Sequence, residues 1–394
     1  MQHTRSRPRA GFTALACTLA AACLVAVLGP WAGARAASAP APTASASAAG
    51  TGHAAAATIP LFAYYYIWYT HSSWTRAKKD LPLIGPYSSS DPWVMRHQID
   101  QAKAAGITGF IVSWKDTPLD DQRLQTLIRV AAQEHFKLAM IYEGLDFARK
   151  PLPVSEVAAD FATFRDKFAS SQVFYRINGR PLTIWSGTWA FSYAQVTQVT
   201  TAVRPQLLVL STEKSVAGFQ RIAAVTDGDA YYWSSVNPET NTNYQPKLQQ
   251  MSQAVHHDGK YWIAPFAPGF DARLVGGQRA VPRNNGQTLR TEYATAVSSS
   301  PNMLGLISWN EFSENSYVEP SKDLGFQSLN VLKQLRTPPG TPVSGPPPVT
   351  RISPWPNTLR LLAFVVALVL GVGSLAFLRR RQSRRRHRHP TTPH

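Results

Sequence analysis

The sequence predicts an α/β fold, a (β/α)8 TIM barrel of eight parallel strands each followed by a helix, with one C-terminal transmembrane helix after it. Three observations predict it. Eight short apolar runs alternate with eight amphipathic stretches over about 280 residues, chemistry-bearing side chains gather at the C-terminal ends of those runs, and an uncharged run of 18 residues lies near the end of the chain. An open, doubly wound sheet is the competing architecture for the same alternation.

Residues 1–36 read as a secretory signal peptide, with Arg5, Arg7 and Arg9, an apolar stretch from Phe12 to Leu28, and an Ala34-Arg35-Ala36 cleavage pattern. An uncleaved N-terminal anchor is the alternative. Cys17 and Cys23 both fall inside this segment, so a mature chain has no cysteine for disulfides or thiolate-held metal. Residues 37–57 are almost entirely Ala, Ser, Pro, Thr and Gly, a linker that cannot bury a core.

The barrel is expected over residues 58–336. Leu61 to Tyr69 opens it as an aromatic strand. Asp91 and Pro92 supply an N-cap and first helical position, Met95, Ile99 and Ala102 supply helical spacing, and Gly106 supplies a stop. Ile107 to Trp114 is almost continuously apolar, as a strand buried on both faces must be. Further strands are expected at Lys137 to Tyr142, Pro181 to Trp185, Leu207 to Leu210, Ala230 to Trp233, Trp262 to Phe266 and Met303 to Trp309. Helices are expected between and after them at Gln122 to Glu134, Val154 to Phe168, Tyr193 to Val203, Phe219 to Val225, Pro246 to Val255, Gln287 to Val297 and Leu324 to Leu335.

Residues 337–358 form a proline-rich stalk, 359–378 the spanning helix and 379–394 a basic tail. The apolar run from Leu361 to Leu378 would be about 27 Å long as a helix, close to the thickness of a bilayer's hydrocarbon core. Seven arginines and no acidic residue follow it, which puts the tail in the cytoplasm and the barrel outside the cell membrane. The formal net charge of +17 therefore resides mostly in the two ends, and between residues 37 and 350 there are 27 Lys and Arg against 23 Asp and Glu. This excludes a nucleic-acid partner and leaves anionic lipid headgroups as partners of the tail.

At or just past the expected strand ends stand Trp68 and Tyr69, Trp114 and Asp116, Tyr142 and Glu143, Trp185, Glu213, Trp233, Asp271, and Asn310 with Glu311. In a barrel of this kind that rim carries the active site. Aromatic faces suit the C–H faces of pyranose rings and carboxylates suit their hydroxyls, so a sugar is the expected ligand, touched by Trp68, Trp114 and Trp233. The last run is the most informative, because Gly305 to Ile307 give way abruptly to Ser308-Trp-Asn-Glu-Phe-Ser-Glu-Asn-Ser-Tyr-Val-Glu-Pro320. Glu311 and Glu314, three apart in a helical turn, would face the same way with roughly 5–6 Å between Cβ atoms. Carboxyls held that close repel, so one keeps its proton near neutral pH while the other ionises. Cleavage of a glycosidic bond requires such an acid and base. Asn310 and Glu319 are expected to support the pair or touch the ligand. His256 and His257 end a helical stretch and read as surface, and the chain has no H-E-x-x-H, P-loop, G-x-G-x-x-G or G-x-S-x-G motif. No metal and no cofactor are implied.

Six segments carry a resemblance, one of them Ala105 to Trp114, which is similar to a second strand. Tyr64 to Tyr69 is similar to an F-Y-Y-P-W-Y first strand, and Gly85 to Pro92 to a G-x-Y-S-S-x-D-P loop. Asn178 to Pro181 is similar to an N/D-G-R-P turn, Pro268 to Asp271 to P-G-Y-D, and Asn310 to Pro320 to N-E-W-x-E-G-T-x-I-E-P. These motifs follow one another in this order in glycoside hydrolase family 99, the endo-α-mannosidase family, which the ectodomain resembles over nearly its whole length, together with related family 71/99-type barrels. The resemblance implies an endo-acting, retaining hydrolase of an α-mannan or related α-glycan. Glu314 would be the acid/base, and Glu311 would deprotonate the sugar's own 2-hydroxyl, which attacks the anomeric carbon. Tyr66, Trp68, Trp114, Trp233, Asp271, Asn310 and Glu319 would bind the polysaccharide or oligosaccharide. Phe312, Asn315 and Ile67 stand where the family has Trp, Gly and Pro, which changes the pocket wall or loop shape. A non-catalytic glycan-binding or envelope-polysaccharide assembly protein on the same barrel is the other reading.

Overall fold

Continuous apolar runs fold into a sheet buried on both faces, and a sheet so buried needs helices on one side and its own closed interior on the other. The computed structural model describes residues 59–337 and has that arrangement. Its strands are β1 (Leu61–Tyr66), β2 (Gly109–Trp114), β3 (Lys137–Glu143), β4 (Arg180–Ser186), β5 (Leu208–Ser211), β6 (Gly228–Asp229), β7 (Tyr261–Phe266) and β8 (Met303–Leu306). Each pairs in parallel with the next, and β8 returns to β1 with Leu61 opposite Leu304, which closes the barrel and excludes the open sheet. The helices are α1 (Pro92–Ala104), α2 (Pro118–Gln133), α3 (Val154–Lys167), α4 (Tyr193–Val203), α5 (Val216–Ile222), α6 (Tyr244–His257), α7 (Gln287–Ser298) and α8 (Gln327–Arg336). The expected signal, linker, spanning helix, basic tail and all of the stalk but Thr337 lie outside the described residues. Among the described residues no helix is long and apolar enough to cross a membrane.

Alternation along each strand splits the core in two. Phe62, Tyr64, Ile111, Ile141, Leu182, Ile184, Leu208, Leu210 and Ile263 fill the barrel. Leu61, Tyr65, Val112, Trp114, Met140 and Val209 face outward and pack with helix residues such as Ile99, Leu127 and Phe161. The first helix begins and ends as its sequence requires: the Asp91 carboxylate accepts from Trp93 N at 2.9 Å, and Gly106, at φ 80°, ends it in the left-handed conformation.

The differences from expectation have local causes. The sixth strand is two residues long and begins at Gly228, ahead of the aromatic run Ala230 to Trp233 that reads as β in sequence. Backbone approach sets its position: a Cβ on Gly228 would lie 2.0 Å from the Tyr261 carbonyl oxygen. The last strand stops at Leu306, three residues before Trp309, because Ser308 begins pairing with the returning loop, its N donating to Ser316 O at 2.8 Å. A short antiparallel ribbon, Phe270–Asp271 with Ala280–Val281, is an addition between β7 and α7.

Candidate active site

Side chains that point into the barrel at its C-terminal end form the floor and walls of the mouth. Phe62 and Tyr64 point inward, so Tyr66 does too, and its hydroxyl meets that of Tyr232 at 2.6 Å. Ile111 is inward in β2 and Ile141 in β3, which brings Ser113 and Glu143 to the same mouth. The Ser113 hydroxyl donates to Glu143 Oε1 at 2.9 Å.

The segment from Ser308 to Pro320 brings in the paired carboxyls. It is a chain of turns, not the helical turn expected, because its backbone folds back on itself: Ser316 N donates to Glu311 O at 3.2 Å and Val318 N to Ser308 O at 3.0 Å. Asn315 takes φ 53°, a conformation that Gly adopts freely and Asn tolerates better than most residues. The segment is fastened to β1, since Trp309 N donates to Tyr64 O at 2.7 Å. The Asn310 amide accepts from Tyr66 N and donates to Tyr66 O, each at 2.9 Å. Asn310 thus extends the strand ladder by one side chain and is committed to support.

Glu311 is 4% exposed, with Ser308 Oγ accepting from its amide at 2.8 Å and its own Oε1 accepting from Ser313 N at 2.9 Å. Burial lifts its carboxyl to about 7, against the favourable Ser313 amide and the Lys78 ammonium. Glu314 stays half-buried, and its backbone oxygen accepts from Asp271 N at 2.6 Å. Burial and then the neighbouring Glu311 charge raise its carboxyl to about 8, with Arg149 opposing and Glu143 adding to the rise. The two carboxyls therefore titrate as a pair, both raised by burial, with the Glu311 charge adding to the rise at Glu314. Both flanking tyrosines stay protonated. Burial, then Tyr232 and Glu311, push Tyr66 well up, while burial and then Glu314 do the same to Tyr232.

Tyr66, Asn310, Glu311 and Glu314 thus come together, and Trp68 joins them, stacked on Tyr66 at 4.3 Å between centroids. Trp114 does not. It is one residue out of phase with Ser113 and points to the helices, where it packs on Phe164 and Phe168 and donates to Asp121 at 3.1 Å. Tyr142 and Trp185 face outward for the same reason, and Glu213 turns to Arg221 at 3.3 Å. Trp233 leans on Tyr244 with centroids 4.8 Å apart and the Lys247 ammonium 5.0 Å over its ring, while its neighbour Tyr232 reaches the mouth. Asp271 is buried in ion pairs with Arg273, at 2.6 Å, and Lys79, which hold it well below the usual carboxylate range. Its amide, not its carboxylate, serves the pair, by holding the Glu314 carbonyl. Glu319 lies behind the loop, accepting from Tyr87 Oη at 2.9 Å and Gln98 Nε2 at 2.8 Å, and burial lifts it to about 8 despite these donors.

The three departures from the family pattern lie in the scaffold. Phe312 is buried, stacked on Tyr317 at 4.0 Å and edge-on to Trp74 at 5.5 Å, and Ile67 packs outward. Asn315 keeps the positive φ a Gly would supply. Sequence reasoning left Glu143 at the rim without a role and passed over Ser113, Tyr232 and Lys78. The signal for the first two was a single polar residue, Ser113, inside an apolar run, which marks the inward phase. Among the described residues no three His, Cys, Asp or Glu side chains gather as a metal site.

The model of glycosyl hydrolase family 71 matches residues 84–331. Two solved structures of the GH99 endo-α-mannosidase from Bacteroides thetaiotaomicron are similar to the chain, one of them in complex with bis-tris-propane. That complex is 21% identical with a TM-score of 0.63, the other 20% with 0.62, and both comparisons cover 70% of this chain and 95% of the other. A glycoside hydrolase-like protein is 15% identical with a TM-score of 0.55, over 70% of this chain and 93% of its own. At these identities the likeness is one of fold. Among curated proteins none matches the chain.

Proposed function

The chain belongs to glycosyl hydrolase family 71, and from that premise we propose that it is an endo-acting, retaining hydrolase of an α-linked polysaccharide, an α-mannan or related α-glycan, held outside the cell by the run from Leu361 to Leu378. One observation carries the mechanism: the loop from Ser308 to Pro320 sets Glu311 and Glu314 at the barrel mouth beside the paired hydroxyls of Tyr66 and Tyr232, where burial raises both carboxyls and the Glu311 charge adds to the rise at Glu314. Near neutral pH such a pair supplies one carboxylate and one carboxylic acid.

On an α-mannosidic link, whose 2-hydroxyl stands trans to the leaving oxygen, Glu311 in the first step takes the proton of that hydroxyl, whose oxygen attacks the anomeric carbon as the glycosidic bond breaks. Glu314 gives its proton to the leaving oxygen, releasing the shortened glycan and a 1,2-anhydro sugar. In the second step Glu314, now a carboxylate, takes a proton from water, and the water oxygen attacks the anomeric carbon. The bond from the anomeric carbon to the 2-oxygen breaks in exchange, that oxygen recovers its proton from Glu311 as the 2-hydroxyl, and two inversions give net retention. Tyr66 and Tyr232, kept protonated beside the pair, supply hydroxyls for the sugar, and Trp68 a stacking face.

The test is hydrolysis of a panel of α-mannans and α-glucans by the detergent-solubilised full chain. Glu314→Gln is expected to lower turnover by at least ~10²-fold with substrate binding largely kept. Unchanged turnover in that variant would remove Glu314 from its role, and binding of the panel without any released sugar would count against the activity. Recovery of the chain in the soluble fraction after alkaline washing of membranes would count against the anchor.

A further inference from the structure

Singly exposed apolar side chains are ordinary on a protein surface, so their number says little and their placement can say more. Among the described residues five large ones are exposed: Trp93, Leu119, Phe147, Tyr193 and Leu274. Trp93 and Leu119 are the second residues of α1 and α2, and Tyr193 is the first of α4. Phe147 follows β3, and Leu274 lies in the segment after β7. In a parallel barrel each helix begins at the end where its strand finishes, so all five lie on the face that carries Glu311 and Glu314. The helix flanks and the opposite face have none among the described residues. Four of the five occupy the consecutive sectors of β1 to β4, which adjoin one another in the sheet.

Phe147 is the most exposed, at 57%, and the chain holds it there firmly. Asp146 N donates to Lys150 O and Arg149 N to Asp146 O, each at 2.9 Å, while Lys150 N donates to the Asp146 carboxylate at 2.8 Å. Lys115 donates to Leu145 O at 2.9 Å and sets its ammonium 5.6 Å from the Phe147 ring centroid. The ring therefore stands on a closed turn braced from the neighbouring sector. The turn follows directly on Glu143 at the end of β3, whose carboxylate accepts from Ser113 at 2.9 Å in the barrel mouth, so the turn borders the cleft. Trp93 is fixed as well, stacked on His97 with centroids 5.0 Å apart and planes 8° from parallel.

Rings presented singly on separate elements do not make the contiguous patch that a stable dimer or a lipid surface needs. They suit a long ligand of repeating units, each offering a C–H face to one ring. We propose that the rings of Trp93, Phe147 and Tyr193, with Leu119 as an apolar contact between the first two, form a docking track for an extended, uncharged glycan polymer, continuous with the cleft but separate from the groups that break the bond. The inference rests on the proposed activity only in taking that polymer to be the substrate.

The test compares the full chain with a Phe147→Ala/Tyr193→Ala variant and with one that adds Trp93→Ala. None of these side chains is in the catalytic machinery, and an unchanged melting temperature confirms the fold. Sedimentation with insoluble α-glucan and α-mannan is expected to show about a 10-fold loss of affinity. Hydrolysis of a short oligosaccharide that fills only the cleft should be unchanged, so the ratio of polymer to oligosaccharide activity falls. An unaltered ratio together with unaltered sedimentation overturns the track. So does retained polymer binding accompanied by loss of self-association or of binding to anionic vesicles, which would assign the face to a second copy or to lipid. Ring-dependent binding by a wild-type chain that releases no sugar would leave the track standing while the proposed activity failed.

Discussion

Glu311 and Glu314 make a two-proton system in which neither carboxyl titrates alone. On the proposed mechanism activity needs one carboxyl of the pair ionised and the other protonated, so kcat/KM should follow a bell whose limbs belong to the pair, rising as pH climbs through about 7 and falling above about 8. A pH profile on a soluble oligosaccharide checks this, and a plateau extending below pH 5 would mean that the base is not the raised carboxyl described here. The place of the two carboxyls at the barrel mouth was legible because they follow abruptly on an apolar strand. Trp114 was misread for a reason of the same scale: its position along the strand was right, but strand ends have two faces, and the sequence shows the phase only where a polar residue interrupts the run. Ser113 is that interruption, and it faces in, which turns Trp114 out. The same one-residue step separates Tyr232 in the mouth from Trp233 against α6.

At the scale of elements, the loop from Ser308 to Pro320 depends on the excursion between β7 and α7. Asp271 N holds the Glu314 carbonyl, and Arg283 Nη2 donates to Asn315 O at 2.9 Å and to Tyr317 O at 2.8 Å. The Arg283 guanidinium also lies 4.5 Å from the Tyr317 ring centroid, and Tyr317 in turn stacks on Phe312. Removing the fork leaves two carbonyls without their donor in a buried setting, at roughly 1–3 kcal/mol for each such group. Arg283→Met is therefore expected to lower kcat by at least ~10-fold with KM changed little, because the loop that moves carries the proposed acid/base. Arg283→Lys, one ammonium in place of a planar fork, should recover only part of that loss. Equal effects on kcat and KM, or full rescue by Lys, would make Arg283 a packing residue instead. None of this was legible beforehand. The P-G-F-D segment was recognised as a loop, but its ribbon and its grip on residues 314–317 arise from contacts between segments far apart in sequence, and a periodicity of 2 or 3.6 carries no trace of them.

For the whole molecule, barrel closure and titration are linked. Glu319, at the end of the last βα loop, accepts from Gln98 of α1 and from Tyr87, and Gln98 accepts from Tyr65 of β1 at 2.6 Å, so the last sector is tied to the first through a buried carboxyl. Burial raises Glu319 from 4.5 to about 8, and raises Glu292 and Asp229 well above their ordinary values. A carboxyl that holds its proton in the fold and releases it on unfolding favours the fold fully below its unfolded value and loses that advantage as pH rises to the folded one. Asp80 and Asp271 act in the opposite direction but only at lower pH, because their folded values are depressed and their contribution is lost as the medium turns strongly acid: hydrogen bonds outweigh burial at Asp80, and Arg273 dominates at Asp271. The closed barrel should therefore be most stable on the mildly acid side of neutrality, with its melting temperature falling between about pH 5 and pH 8. Glu319→Gln keeps the shape and a hydrogen-bonding group but cannot ionise, so thermal melts across that range should show a shallower fall for the variant than for the wild type. A wild-type melting temperature that climbs towards pH 8, or parallel slopes in the two proteins, would mean that Glu319 is ionised in the fold and that the tie between first and last sectors is a charged one.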